Sequence, residues 1–339
     1  MKRDEKALLR GILSVLRESP NLPDGLAEDV PWADPSLEML LDQHRVRSLW
    51  TDAVRPTSLW SQLPETLRRR LEEAQRADAA RGLMQQAEAR ELASTLGKAG
   101  VPHLFYKGIY LRSELYSAGH LRPADDIDLL VAPDDLGRSL AALTAAGFER
   151  KSPKRRQRET HETGLIRKGV HVDLHWHLFR PGRVKFDPVH DFLGCRKRRR
   201  GLHVPSDLHV SVAMTAGPAL GDYVTGRLLK LVDLDRWIRA GRVPWNELTA
   251  YVRRLGLATA AWATLVWTQR CLGTPIPADS FRALRPSPAR QTYLKAWLAL
   301  DAAAIYRRYP FTARTFFSLA LQDSLTDLPR AVAGRLVRS

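Results

Sequence analysis

Hydrophobic residues recur at three- and four-residue spacing through most of the first hundred positions. ADPSLEMLLDQHRVRSLW and PETLRRRLEEAQRADAARGLMQQAEARELASTLGKAG contain few β-branched residues, and their spacing predicts amphipathic helices. Gly97 and Gly100 stand where the second should stop, with Pro102 just beyond. Short apolar runs follow. VPHLFY (101–106) predicts a strand, GIYLRSELYSAG (108–119) a helix closed by Gly119, and DIDLLVA (126–132) a second strand. PDDLGRSLAALTAAG (133–147) predicts a helix with Pro133 and two acids at its start, as the helix dipole favours. HETGLIRKG (161–169) and VHVDLHWHLF (170–179) predict two further strands joined by a turn at Lys168-Gly169. From Pro205 onward helical spacing returns in SDLHVSVAMTAG, GRLLKLVDLDRWIRAG, WNELTAYVRRLG and LATAAWATLVWTQRCLG, with Ser206 and Gly241 as caps. The expected fold class is α+β, a small mixed β-sheet core between two helical segments. Residues 1–100 form the first segment, 101–205 the core and 206–339 the second.

Composition narrows the setting. The chain has 339 residues, is 44% hydrophobic and 27% charged, and so excludes a disordered or fibrous protein. Two cysteines, Cys195 and Cys271, cannot build a disulfide framework, which points to a reducing, cytoplasmic setting. MKRDEKALLRGILSVLRESP reads as an amphipathic helix rather than a cleavable leader, and the uncharged stretch Leu255–Gln269 is too short to span a bilayer. No membrane partner is expected. The net charge of +16 is concentrated: residues 150–205 hold sixteen Lys and Arg against five Asp and Glu. The densest runs, KSPKRRQR (151–158) and RKRRR (196–200), favour an anionic partner such as RNA, or equally form solvated loops. No aromatic residues interleave them, as single-strand stacking would require.

The chemistry concentrates on two strands. Asp126 and Asp128 stand at i and i+2, on one face of a strand and about 6.6 Å apart along it. Like charges so placed repel unless a cation lies between them, and a hard ion such as Mg²⁺ takes oxygen ligands. Leu129, Leu130 and Val131 follow directly, which puts the acids at the mouth of a buried strand. In VHVDLHWHLF, alternation sets His171, Asp173, His175 and His177 on one face. The histidines read as the polar outer face of an edge strand, whereas Asp173, between Val172 and Leu174, needs a partner. If the two strands neighbour each other, Asp126, Asp128 and Asp173 converge, and three carboxylates can hold two Mg²⁺ ions for in-line phosphoryl or nucleotidyl transfer. Lys107-Gly108 opens a helix whose N-terminus can cradle phosphate, with the Lys107 charge beside it. Arg122 either contacts phosphate or offsets the acids. Lys230 and Asp233 read as an i, i+3 surface pair.

Together these pieces resemble the DNA polymerase beta nucleotidyltransferase superfamily, and more closely its bacterial branch of nucleotidyltransferase family proteins. GVPHLFYKG, LRPADDIDLLV, AALTAAGF, VHVDLHWHLF, GRLLKLVDLDRWI and VPWNELTAYVRRLGL carry the resemblance over most of residues 35–275. It implies a nucleotidyltransferase core with Asp126, Asp128 and Asp173 as catalytic and metal-binding acids and Lys107-Gly108 as its glycine turn; Lys107, Gly108 and Arg122 are the residues expected to hold phosphate. It implies Mg²⁺, with Mn²⁺ as its substitute, and a nucleoside triphosphate, ATP by default, as donor of its nucleoside monophosphate. The acceptor would be a hydroxyl-type group on a small molecule or peptide, with pyrophosphate released. One departure stands out. The superfamily usually places Ser or Gly after its turn glycine, whereas Ile109 follows Gly108 here, so a hydroxyl contact is missing and Lys107 is the candidate to substitute for it.

Three other readings compete. The same transfer could act on RNA gripped by runs 151–158 and 196–200, or a degenerate core could simply bind nucleic acid. D-x-H-x-H in VDLHWH also resembles the first metal strand of amidohydrolases, with His175 and His177 as ligands. That barrel takes about 250 residues, and only 162 follow His177.

Overall fold

The structure is a computed structural model describing residues 3–18, 30–151, 161–180, 182–222, 227–298 and 311–336. Five helices lead in: α1 (Arg3–Glu18), α2 (Ser36–Gln43), α3 (Arg47–Val54), α4 (Ser58–Gln62) and the long α5 (Glu65–Lys98). The core follows as β1 (His103–Tyr106), α6 (Gly108–Leu115), β2 (Asp126–Val131), α7 (Leu136–Ala145), β3 (Glu149–Arg150), β4 (Glu162–Arg167) and β5 (Val170–His175). Then come α8 (Val189–Gly194) and the hairpin β6 (Lys197–Arg199) and β7 (Leu202–Val204). Helices close the chain: α9 (Asp207–Asp222), α10 (Leu228–Arg239), α11 (Trp245–Leu255), α12 (Ala258–Leu272), α13 (Ala278–Leu284), α14 (Pro288–Leu298), α15 (Phe311–Ala320) and α16 (Leu328–Leu336).

The main sheet runs β1-β2-β5-β4-β3 and is mixed: β2 and β5 are parallel, and every other pairing is antiparallel. The β4–β5 hairpin turns on Lys168 and Gly169, both at positive φ (49° and 75°), the geometry of a tight two-residue connection. Strand alternation divides the sheet into two faces. Phe105, Ile127, Leu129, Val131, Val172 and Leu174 are buried in one apolar cluster with Leu92 and Leu96 of α5 and Leu140 and Leu143 of α7. Leu104, Tyr106 and Leu130 belong instead to a second cluster, shared with the flanking helices. That second face carries the acids.

Three details differ from the sequence expectation. The predicted helix over 33–50 is two helices, because Arg45 adopts φ 59° between α2 and α3. The helix predicted to end at Gly119 stops at Leu115, and a 3-10 turn (Gly119–Leu121) follows. Within the RKRRR run, Lys197–Arg199 form an exposed hairpin strand, β6, paired with β7. Lys151 apart, the run 151–158 lies outside the described residues. No helix among the described residues is long and apolar enough to cross a membrane.

Candidate active site

The parallel ladder between β2 and β5 sets the register that decides the site. Asp128 pairs with Asp173 and Asp126 with His171, so the neighbouring strands bring the three acids to one face. On the far side of β5, the residue opposite Asp173 is Gly164 of β4. A Cβ there would lie 3.2 Å from Lys151 Cδ and 3.7 Å from Asp173 Oδ1, so glycine lets the Lys151 stem pass close to the strand beside the carboxylate.

The three acids differ in their surroundings. Lys107 Nζ donates to Asp128 Oδ1 at 2.7 Å, and the same oxygen lies 3.1 Å from His175 Nε2. Burial alone would raise the Asp128 carboxyl, but Lys107 and His175 outweigh it and hold it well below the usual carboxylate range. Asp126 is pushed up to about 7 by burial and by the negative charges of Asp128 and Asp173. Asp173 is also raised, by burial first and then by Asp128 and Glu162 acting against His175. No Lys or Arg among the described residues lies within ion-pair distance of Asp126 or Asp173. Among the described residues, one ammonium serves three carboxylates. This all-oxygen donor set with a deficit of positive charge fits a hard divalent cation.

Lys107 itself stands in a strained turn. Its backbone, at φ 56° and ψ −120°, occupies a region that side chains rarely adopt. The strain aims the side chain back over the sheet, where Nζ sits 4.6 Å from the Tyr106 ring centroid and bonds Asp128. Glycine follows for a separate reason. A Cβ at Gly108 would lie 3.0 Å from Ala124 Cβ and 3.1 Å from Arg122 Nη1, so only glycine lets α6 start this close to the segment before β2.

That segment is bolted in place. Buried Arg112 donates to the Arg122 carbonyl at 3.1 Å and to Gln85 Oε1 at 2.8 Å, and Gln85 Nε2 donates to the Ala124 carbonyl at 3.1 Å. Arg122 is 8% exposed, and its Nε and Nη2 donate to Asp233, which also accepts from Tyr116 Oη at 2.6 Å. Asp233 is thus no surface partner of Lys230. It is 2% exposed and anchors Arg122 across 111 positions of sequence. The i, i+3 spacing concealed this, because nothing local signals a partner so distant in sequence.

A cavity of about 270 Å³ opens beside the acids between the sheet and the C-terminal helices. Lys107, Arg122, Glu162 and Lys230 are among its polar residues, and Phe179 and Met214 among its apolar ones. The three acids do not line it; Lys107, which holds Asp128, does. Its combination of cationic and apolar walls suits a ligand with an anionic end and an apolar or planar body.

A family model described as uncharacterised nucleotidyltransferase matches residues 35–273, more than two thirds of the chain and the whole sheet with it. The chain belongs to this family. It is therefore an enzyme of the nucleotidyltransferase class. A solved structure of the antibiotic-resistance factor ANT(2'')-Ia is similar at 11% identity and a TM-score of 0.36, over 50% of this chain and 94% of that one. No curated protein matches the chain.

The histidines correct the sequence reading. β5 is a central strand, between β2 and β4, and His175 is 1% exposed rather than part of a polar outer face. His177 lies past the strand end, where its Nδ1 is 3.3 Å from Asp187. The two do not converge as the D-x-H-x-H reading needs, and the described residues of this nucleotidyltransferase contain no barrel. Glu162, which reaches His175 from β4 at 3.3 Å, carries no local signal in the sequence. Its partner became visible only once the β4–β5 register was known.

Proposed function

We propose that this nucleotidyltransferase transfers a nucleoside monophosphate from a nucleoside triphosphate, ATP by default, to a hydroxyl-type acceptor on a small molecule or peptide, releasing pyrophosphate. The observation that carries the reading is the pairing of Asp128 with Asp173 on parallel strands, with Asp126 two residues before Asp128 on the same face. Asp126, Asp128 and Asp173 would hold Mg²⁺, or Mn²⁺ in its place. Such an ion, when bound, neutralises charge on the phosphate oxygens. Asp173, across the ladder from Asp128, would take the proton of the acceptor hydroxyl. Lys107 would move between Asp128 and the triphosphate, and Gly108 would let the phosphates approach the first turn of α6. Arg122 would face the triphosphate while Asp233 fixes its orientation. The proposed unit boundaries remain 1–100, 101–205 and 206–339, with the cavity between the second and third.

RNA as acceptor is favoured by one observation, the exposure of Lys197, Arg198 and Arg199 on the β6–β7 hairpin. The test is incubation with each α-labelled triphosphate and Mg²⁺ against small-molecule, peptide and RNA pools. Label transferred to one pool with matching pyrophosphate release supports the reading. Release of γ-phosphate alone, with no labelled product, contradicts it.

A further inference from the structure

Beside the three acids lies a second cluster with different chemistry. Glu162 opens β4 and pairs in register with His175, which ends β5; His161 immediately precedes Glu162. His161 Nε2 is 3.2 Å from Glu162 Oε2, and His175 Nδ1 is 3.3 Å from the same oxygen. One ligand atom from each of the three lies within 4.8 Å of the others. We propose that His161, Glu162 and His175 form a binding site for a borderline-soft divalent transition ion, Zn²⁺ in the first instance, separate from the carboxylate site.

Three observations support this. Ligands bound to a tetrahedral Zn²⁺ at 2.0–2.1 Å stand about 3.3 Å apart, and two of the three edges here already have that length. His175 is 1% exposed, and its Nδ1 makes no hydrogen bond. Its other nitrogen, Nε2, faces the Asp128 carboxylate at 3.1 Å. Nδ1 is thus a buried nitrogen 3.3 Å from the Glu162 oxygen with no hydrogen bond to it, a donor atom placed to take a cation. A histidine that ligates through one nitrogen while its other N–H is held by a carboxylate is the usual outer-shell arrangement of protein metal sites.

The donor set selects the ion. Two imidazoles and one carboxylate suit Zn²⁺ and its neighbours, whereas Mg²⁺ prefers oxygen ligands alone. His161 and Glu162 line the cavity, so the fourth position would open toward bound substrate. The ion would tie β4 to β5 and, through His175, fix the orientation of Asp128. The site stands on its own geometry and does not depend on nucleotidyl transfer.

The experiment uses the full chain, stripped with chelator and titrated with Co²⁺ in excess Mg²⁺. One equivalent should bind with the intense visible absorption of tetrahedral Co²⁺ and be displaced by Zn²⁺. His161→Ala, at a half-buried position, and Glu162→Gln should each weaken binding by about tenfold or more, with unchanged circular dichroism. His177→Ala and Asp126→Asn should bind like wild type. No tetrahedral Co²⁺ spectrum, or an affinity unaffected by His161→Ala and Glu162→Gln, overturns the proposal.

Discussion

The two faces of one sheet are built from alternate residues of the same strands, yet they do opposite things. On one face Ile127, Leu129, Val172 and Leu174 are fully buried against α5 and α7 and make no polar demand. On the other, one or two residues along, Asp126, Asp128, Asp173 and His175 gather charge in a partly desolvated place. Stability resides on the first face, and the second holds groups whose mutual repulsion opposes folding until a cation arrives. A strand pair buried on both sides can therefore carry a site only because its apolar face over-determines the strands' position.

The largest expected effect separates the faces outright. Asp126→Ala should abolish transfer with the melting temperature unchanged or raised, because it removes one of three repelling carboxylates. Leu129→Ala, at a fully buried position, should cost about 2–5 kcal/mol of stability and lower activity only in proportion to the folded fraction. Urea unfolding and pyrophosphate release on the same two variants check this. Comparable stability losses in both would erase the distinction.

Asp128 refines the comparison, since it lies on the charged face but is itself paired. Asp128→Asn should abolish activity and also lower the melting temperature, because Lys107 and His175 lose the charge that holds them. Asp126 and Asp128 should thus shift stability in opposite directions, which thermal unfolding of both variants measures.

A smaller effect is expected at the rim. Gly164→Val would push the Lys151 stem aside and crowd Asp173, and should lower turnover without removing any charged group. Substrate affinity and turnover, measured together, distinguish blocked access from misfolding.

The smallest effect concerns the hairpin. If RNA is the acceptor, log K should fall with log salt by about 0.7 per phosphate contact, and charge reversal at Lys197, Arg198 and Arg199 should flatten that slope. Binding independent of salt and of the reversal favours the uncharged acceptor.

The alternation that builds the two faces was also what made them legible. DIDLLV and VHVDLH announced strands, and the D-x-D and V-D-L patterns marked the acids, because period-2 spacing is local. The β2–β5 pairing was inferred as a condition, and the parallel register meets it. Features set by long-range contact stayed hidden: Asp233 under Arg122, Glu162 beside His175, and the α2–α3 break at Arg45. The two- and three-residue strands β3 and β6 were hidden too, being too short and too charged to show alternation. Lys107 was legible as a charge but not as a strained residue, because positive φ outside glycine leaves no mark in sequence.

The central claim is that Asp173, across the ladder from Asp128, acts on the acceptor while the other two acids serve the triphosphate. Asp173→Asn keeps size and loses basicity. Single-turnover transfer from an α-labelled triphosphate should fall by about 10²–10⁴-fold, while Mg·triphosphate binding, followed by equilibrium dialysis, stays within about tenfold of wild type. Transfer at the wild-type rate in Asp173→Asn, or binding lost together with turnover, would contradict the account.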